Sequence, residues 1–332
     1  QGDMSKQNAR SISYHFDNHL FTMTAVDSDS PIGYGLNVEG QNNFTFERER
    51  GRAWNLPSPF KCYGFPEQVK YYYKNASFLS DLQLSFENLF NGLYYLGPLR
   101  EHPSRQYTWG GEVPSDMGKR GELTVHALLA SQQRGKYISL GKGKKRQSLE
   151  EYIAFWLKEL GLIHSFQLEP ISEDSNLYRL RVQKTQNSSK VLLTDVGFGV
   201  SQILPVLALC YYVPENSIII LEQPEIHLHP SVQAGLADVF IDAIQKRNVQ
   251  IIFESHSEHL MRRLQRRIAE EKITSDDTSL YFCELKNGAS SLSPLQIDNY
   301  GNIKNWPKDF FGDEFGEIAT MTLSVLRRQG LK

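Results

Sequence analysis

The sequence predicts an α/β protein in which helices flank a mostly parallel sheet, after an N-terminal antiparallel β portion. Three observations lead to this class. Strand and helix patterns alternate after residue 190, the strand at 217–221 is almost wholly apolar, and residues 11–46 alternate polar with apolar side chains. A β-α-β-α-β order favours right-handed crossovers between parallel strands, whereas polar–apolar alternation is typical of antiparallel strands.

The individual elements follow from hydrophobic periodicity and turn residues. Antiparallel strands are predicted at 12–16 and 20–26, with Asp17 and Asn18 as the turn between them. Further along, helices are predicted at 78–90, 121–129 and 149–160, and strands at 93–96, 165–170 and 177–184. The last third is predicted as strand 217–221, helix 231–246, strand 249–253, helix 257–271 and strand 281–285. The apolar strand 217–221 is expected to be covered on both faces.

Bulk composition is that of an ordinary globular protein. The 332 residues are 40% hydrophobic and 22% charged, and the formal net charge of −2 gives no global basic field for nucleic acid. The apolar run 203–213 is too short to span a bilayer, which needs about 20 residues. Cys62, Cys210 and Cys283 form no CxxC pair, so we expect reduced, mostly buried thiols in a cytoplasmic protein.

Three segments between Asp195 and His259 carry residue types suited to phosphate chemistry. The first places Gly197 and Gly199 before an apolar helix. Glycine lets the backbone approach a phosphate closely, and a helix N-terminus offers free N–H groups and a positive dipole end. Ser201 can add a hydroxyl donor, although a plain turn before a helix has a similar composition.

The second segment is Glu222-Gln223-Pro224-Glu225, directly after the apolar strand. In open α/β sheets ligands bind at the carboxyl ends of strands, and a carboxylate there can hold Mg²⁺ directly or through water. Two carboxylates this close repel each other unless a cation is present. The spacing therefore favours a cation site over a plain polar turn.

The third segment places His256 in a polar loop after the next apolar strand, 251–253. A histidine there can contact a γ-phosphate or position the attacking water. Taken alone, such a histidine is more often a helix cap or a surface residue.

In this order the three segments resemble the signature motif, Walker B motif and switch histidine of ABC-class ATPases. The run 222–230 (EQPEIHLHP) resembles in particular a bacterial family of AAA-type proteins of unknown function, as do 95–101 (YLGPLRE), 118–122 and the tail 299–310. The resemblance places this family in the non-transporter branch of the ABC-class ATPases. That branch also includes the overcoming-lysogenization-defect nucleases and the chromosome-maintenance and recombination-repair ATPases. The resemblance covers about residues 90–330.

The resemblance implies roles for individual residues. The signature motif falls on Gly197, Gly199, Ser201 and Gln202. Glu222 would help hold Mg²⁺, Gln223 stands where a catalytic glutamate is usual, and His256 falls on the switch histidine. The residues 229–231 would face a partner subunit. ATP and Mg²⁺ are the implied cofactors, and the implied partner is a second copy or a Walker A-bearing subunit, in a DNA-related or defence process.

Two departures from the pattern shape the expected activity. The sequence contains no Gly-x-x-x-x-Gly-Lys-Ser/Thr, and 141–145 lacks its spacing and hydroxyl residue. We therefore expect the C-terminal part of an ABC-class ATPase, which is inactive alone. Glutamine at 223 cannot act as a general base but can orient a water, which leaves Glu222 and Glu225 as candidates for the base.

The same resemblance divides the chain into three expected parts. Residues 1–95 would be a β-rich, incomplete part of the ATPase lobe, 96–190 an insertion of helices and strands, and 191–332 the α/β lobe with all three motifs.

Other functions remain open on the same residues. A metal-dependent hydrolase could use His227, His229, His256 and His259 with Glu222 and Glu225, although His227 and His229 stand at i, i+2 rather than i, i+4. A non-catalytic module could instead complete a partner's nucleotide site or only dimerise. A nuclease is less favoured, because no toprim-like acidic cluster follows downstream.

Two local clusters of basic residues could support nucleic-acid binding. The basic residues of 142–146 could contact phosphates, as could four arginines at helical spacing, Arg262, Arg263, Arg266 and Arg267. The competing interpretation is a solvated helix face balanced by Glu270 and Glu271.

Overall fold

The computed structural model describes residues 9–26, 33–40, 44–49, 51, 55–135, 137–138, 146–173, 175–286, 288–307 and 310, together with 320, 321, 325 and 328. The chain separates into two compact units, Gln1–Gly92 and Leu93–Lys332. The α/β class with helices beside a parallel sheet and further antiparallel portions is confirmed. The three-part division with boundaries at 95 and 190 stays a prediction. Of the basic run 142–146, only Arg146 lies within the described residues.

The first unit contains an antiparallel sheet of three strands packed with helices. The strands are β1 (Ser11–Phe16), β2 (His19–Ala25) and β3 (Tyr34–Gly40), in the order β1-β2-β3, and the helices are α1 (Gln68–Tyr72) and α2 (Phe78–Asn91). Asp17 and Asn18 have φ values of 49° and 59°, the left-handed conformation that a two-residue hairpin turn requires. Phe21, Met23 and Leu79 lie in its core.

The second unit begins with a parallel strand, followed by short antiparallel strands and helices. Its elements up to residue 192 are β4 (Leu93–Leu96), β5 (Tyr107–Thr108), α3 (Thr124–Gln133), β6 (Tyr137–Ile138), β7 (Gln147–Ser148), α4 (Leu149–Glu159), β8 (Ser165–Pro170), β9 (Leu177–Gln183) and β10 (Lys190–Leu192). The strands β5, β8 and β10 all pair antiparallel with β9. Ser148 and Glu151 form a capping box that fixes the start of α4.

The remaining elements largely follow the order of strands and helices that the sequence predicted for this third of the chain. They are α5 (Phe198–Tyr212), β11 (Ile218–Glu222), α6 (Pro230–Arg247), β12 (Gln250–Glu254), α7 (Glu258–Ala269), β13 (Leu280–Lys286) and β14 (Ala289–Leu295). The helix α5 is buried from Val200 to Tyr212, which makes it the central helix of the unit. Among the described residues no helix is both long and apolar enough to cross a membrane.

The parallel sheet has the strand order β12-β11-β4, and its two faces differ. Ile219 and Leu221 of β11 are fully buried in the core of the unit. The intervening Ile218 and Ile220 are only half-buried, and Ile252 of the edge strand β12 is 50% exposed. The expectation that β11 is covered on both faces is therefore wrong within the described chain. Successive strand residues point to opposite faces, and the described helices bury only one of them well.

The last predicted strand does not join the parallel sheet. β13 pairs antiparallel with β14 instead, with Leu280 opposite Leu295 and Lys286 opposite Ala289. Only two residues separate these strands, too few for the crossover that a parallel pair needs, and Gly288 supplies a φ of +81° for the tight turn.

The expectation that the cysteines are mostly buried is wrong. Only Cys210, on the central helix α5, is buried, whereas Cys62 and Cys283 are exposed. Burial raises the pKa of the Cys210 thiol to about 12.

Candidate functional site

The parallel register brings the loops after β11 and β12 to the same edge of the sheet. Glu222 lies opposite Glu254, and the Gln223 N–H donates to the Glu254 carbonyl at 3.0 Å. The turn at 222–225 and the loop at 254–257 are thus neighbours. We call this region the carboxyl edge.

The end of β4 contributes two further side chains to the carboxyl edge. The Tyr95 hydroxyl donates to Oε1 of Glu222 at 3.0 Å, and Nη2 of Arg100 donates to the Glu222 carbonyl at 3.3 Å. The hydrogen bond to the Glu222 carboxylate raises the pKa of the Tyr95 hydroxyl. The sequence analysis assigned no role to Tyr95 or Arg100, although both lie in the 95–101 segment that resembles the family and follow a predicted strand.

Glu225 is buried rather than open to a ligand. The residue is only 6% exposed, and its Oε1 accepts the His256 N–H at 2.8 Å. Its Oε2 has no hydrogen-bond partner within the described residues. This geometry makes the carboxylate a link between the two loops.

The 222–225 turn is held in an uncommon backbone conformation. Gln223 has a φ of 43° and His227 a φ of 61°, the left-handed region that costs side-chain-bearing residues roughly 1–2 kcal/mol each. Within the turn, the Ile226 N–H donates to the Gln223 carbonyl and the Leu228 N–H to the Glu225 carbonyl. Strain of this kind persists only when the surrounding structure fixes the turn.

The His256 ring lies open at the carboxyl edge. Its side chain is 79% exposed, and Nε2 is 3.1 Å from Oε1 of Glu254. The main chain beside it is ordered by Ser257, which caps α7 by accepting the Leu260 N–H at 3.1 Å. The ring therefore projects from a fixed backbone and is free to meet a ligand.

The loop before α5 differs in part from expectation. Gly197 caps the helix, and a Cβ there would meet nothing within 4 Å, so the backbone is open to a close approach. Ser201 and Gln202 are buried at 7% and 6% exposure, and the Ser201 hydroxyl donates to the Phe198 carbonyl. The Ser201 hydroxyl is thus engaged within its own helix, and its role as a donor to a phosphate stays a prediction. The helix turns residues 201 and 202 inward and leaves Phe198 58% exposed at its tip.

Phe198 lies close to two histidine rings. Its ring centroid is 5.7 Å from that of His102 and 6.2 Å from that of His227. Gly199 also lies beside the 227–228 backbone, where a Cβ would come within 3.9 Å of the His227 carbonyl. The structure thus places the 197–202 loop against the segment that follows the carboxyl edge.

The remaining histidines have structural surroundings. His229 caps α6, its Nδ1 accepting the Ser231 N–H at 3.3 Å. In the described part of the chain, no three His, Cys, Asp or Glu residues are grouped closely enough to hold a metal ion. His227, His229, His256 and His259 therefore do not converge with Glu222 and Glu225 as the hydrolase alternative requires.

The arginines of α7 are engaged by carboxylates. Arg263 and Arg267 both bind Asp238 of α6, and the Arg266 and Arg267 side chains also bind Glu270. Arg262 pairs with Glu258 and stacks over Trp306. These contacts favour the balanced helix face over a phosphate-binding stripe.

Two family models match parts of this chain. Residues 136–261 match the AAA ATPase domain. The matched segment holds the 197–202 loop, the 222–225 turn and His256, whereas Tyr95 and Arg100 precede it. A family described as a protein of unknown function (DUF3696) matches residues 273–321, which include the β13–β14 hairpin. No curated protein matches the chain.

Solved structures with partial likeness include heads of SMC proteins. One comes from a study of the ATP-driven dimerization and DNA-stimulated activation of SMC ATPases. It is 13% identical to this chain with a TM-score of 0.34, and the match covers 45% of this chain and 83% of that one. An Smc head bound to the C-winged helix domain of ScpA is 11% identical with a TM-score of 0.35, over 45% of this chain and 42% of that one. A Pyrococcus furiosus Smc head bound to the C-terminal domain of ScpA is 11% identical with a TM-score of 0.34, over 54% and 37%. The chain thus spans less than half of the last two.

Proposed function

We propose that this chain supplies the signature, Walker B and switch-histidine half of an ATP site of the ABC class. In this proposal ATP and Mg²⁺ bind where the carboxyl edge meets a Walker A loop, carried by a second subunit or by another part of the full-length protein. The 197–202 loop would face the nucleotide held by a partner subunit.

The observation that carries the proposal is the meeting of Glu222, Gln223 and His256 at one edge of a parallel sheet, inside a segment that matches an AAA ATPase domain. Ligands of open α/β sheets bind at such an edge. The three side chains offer a carboxylate, an amide and an exposed imidazole, which suit a cation, a water and a phosphate respectively.

The partly exposed face of the parallel sheet supports the proposal that a further element packs against it. Parallel sheets normally have helices over both faces, yet Ile252 on the edge strand β12 is 50% exposed and Ile220 beside it is half-buried. A strand and helix carrying Walker A would fit against β12 and this face. Such an element would also bring the positive end of its helix towards Glu222.

The donor set fits magnesium better than a transition metal. Glu222 offers carboxylate oxygen, the hard kind of ligand that Mg²⁺ combines with water and phosphate. Bound there, Mg²⁺ would neutralise charge on the β- and γ-phosphates. Tyr95 would orient the Glu222 carboxylate through their 3.0 Å hydrogen bond.

A second candidate is a module that completes a nucleotide site without hydrolysis. Two observations favour it: position 223 holds glutamine, and one oxygen of Glu225 already binds the His256 N–H. Neither side chain then serves readily as a general base. The two candidates share nucleotide binding and differ only in turnover.

The test measures Mg²⁺-dependent binding of a fluorescent ATP analogue, together with phosphate release, with and without a Walker A-bearing chain. We expect little turnover from this chain alone and tighter binding in the mixture, both sensitive to Glu222→Ala. Glu173→Ala, at an exposed glutamate outside the site, is the matched control. Binding that survives Glu222→Ala unchanged would refute the proposed site, and binding without turnover would select the second candidate.

A further inference from the structure

A largely buried polar cluster joins three helices of the second unit. The Asp242 carboxylate of α6 accepts two hydroxyls on its Oδ2, that of Tyr152 of α4 at 2.6 Å and that of Tyr211 of α5 at 2.8 Å. Its Oδ1 pairs with Nζ of Lys246 at 2.6 Å. Lys246 also donates to the Tyr152 hydroxyl and lies over the Tyr152 ring. We call these four side chains the Asp242 cluster.

The polar groups of the Asp242 cluster satisfy one another. Tyr152 and Tyr211 are buried, and burial is the main cause that raises the pKa of both hydroxyls. Both phenols therefore remain hydrogen-bond donors at neutral pH, and Asp242 is the acceptor that they share. An arrangement of the helices that separated these groups would leave buried polar atoms unpaired, which is unfavourable.

The hydroxyl of Tyr211 is a rare polar group on α5. Residues 203–210 of this helix are all buried, and the thiol of Cys210 is their only polar side-chain group. Apolar packing tolerates rearrangement, whereas one buried polar contact can specify the register of two helices, that is, their alignment along each other. Tyr211 makes this contact with α6, where its hydroxyl also lies 3.4 Å from the Val239 carbonyl oxygen.

The helices α5 and α6 are joined at two levels. At the first, near their N-terminal ends, the ring centroids of Phe198 and His227 are 6.2 Å apart. At the second, Tyr211 binds Asp242. A rise of 1.5 Å per residue puts this bond about 20 Å along α5 from Phe198. A change of register at the Asp242 cluster would therefore move the start of α5 relative to the segment that precedes α6.

We infer that the bond between Tyr211 and Asp242 sets the register of α5 against α6 and thereby places the 197–202 loop beside the 227–229 segment. The other two members of the cluster hold the Asp242 carboxylate in place. Tyr211 and Asp242 are then positioning residues, which act on the loop through their helices. The consequence for association with a partner subunit rests on the proposed function, whereas the register itself does not.

The structural arm uses Tyr211→Phe, which removes the hydroxyl and keeps the ring. NMR should show changed amide shifts at Gly199 and His227, at the far ends of the two helices. Hydrogen exchange at these amides should accelerate about tenfold, because a bond to a charged acceptor no longer holds the register. Asp242→Asn weakens the same bond from the other helix and should give the same changes, which keeps the test open if Tyr211→Phe does not fold.

Tyr152→Phe is the matched control. It removes an equal hydroxyl from the same Asp242 oxygen, but this hydroxyl belongs to α4. It should lower the melting temperature and leave the Gly199 and His227 signals nearly unchanged. Leu209→Ala, which opens a cavity in α5 without removing a polar contact, should do likewise. Equal changes at Gly199 and His227 in Tyr211→Phe and Tyr152→Phe, or no change in either, would overturn the inference.

The functional arm adds a Walker A-bearing chain and Mg²⁺-ATP. Tyr211→Phe should weaken ATP-dependent association, measured by light scattering, about tenfold more than Tyr152→Phe does. Equal weakening by the two variants would contradict a positioning role, since both lose the same kind of bond. If the wild-type mixture does not associate, the proposed function fails, while the NMR comparison still decides whether the Tyr211–Asp242 bond sets the register.

Discussion

At the scale of single residues, position 223 decides what chemistry the carboxyl edge can perform. Gln223 is fixed by its N–H bond to the Glu254 carbonyl and by its left-handed backbone, so its side chain starts from a defined point. An amide there can hold a water but cannot take its proton. The nearest alternative carboxylates are committed, Glu222 to Tyr95 and Glu225 to the His256 N–H.

Gln223→Glu should therefore increase ATP turnover in the presence of a Walker A-bearing chain. A positioned general base contributes about 10²–10⁴-fold, so we expect at least about a tenfold rise in phosphate release. Gln186→Glu, an equal change at an exposed position far along the chain, should have no effect. A variant at 223 no faster than wild type would place the base elsewhere.

At the scale of elements, the packing of α7 on α6 determines what its arginines do. Arg263 and Arg267 are only 26% and 23% exposed, and both bind Asp238, which is 22% exposed. The helix buries Leu260, Leu264 and Ile268 on its apolar face. The arginines beside that face thus bridge two helices, and fewer of them remain for phosphates.

Asp238→Ala should lower the free energy of unfolding by roughly 1–3 kcal/mol, because it leaves two partly buried guanidinium groups without their shared acceptor. Chemical denaturation measures the change. Asp276→Ala, at an exposed aspartate, should alter stability by less than about 0.5 kcal/mol. Equal effects of the two substitutions would mean that the α6–α7 ion pairs contribute nothing measurable.

At the scale of the whole molecule, the proposal makes this site one half of a larger one. The 197–202 loop lies beside the 227–228 segment, so one surface carries the exposed Phe198 and the cap of α6. Ser201 is a poor position at which to probe this surface, because an arginine there would enter the core. Gly197 is a better one: its φ of −56° suits any residue and the space around it is open.

Gly197→Arg should leave the fold intact and prevent ATP-dependent association with a partner subunit, if the loop acts in trans. Light scattering with and without Mg²⁺-ATP measures association, and circular dichroism checks the fold. Gly35→Arg, at another glycine with open space, should associate as wild type does. Association unaffected by Gly197→Arg would rule out a role of this loop at the interface.

The sequence by itself determined the local elements and the placement of polar residues after apolar strands. The structure closely matches the predicted strands 217–221 and 249–253 and the helices that follow each of them. Hydrophobic periodicity and turn residues are local features of the sequence, so they predict such elements well. The parallel register of β11 and β12 then brings the polar loops after these strands together. The assignment of these loops to signature, Walker B and switch roles stays a prediction.

Only the tertiary structure decided which distant residues meet. Arg100 reaches Glu222 across 122 positions and Glu225 reaches His256 across 31, and no local period encodes such separations. The partner of β13, the inward turn of Ser201 and the pairing of Arg263 with Asp238 were likewise settled by packing. The periodicity of the sequence determines on which face of a helix or strand a side chain lies. Which other element packs against that face depends on how all the elements share one core.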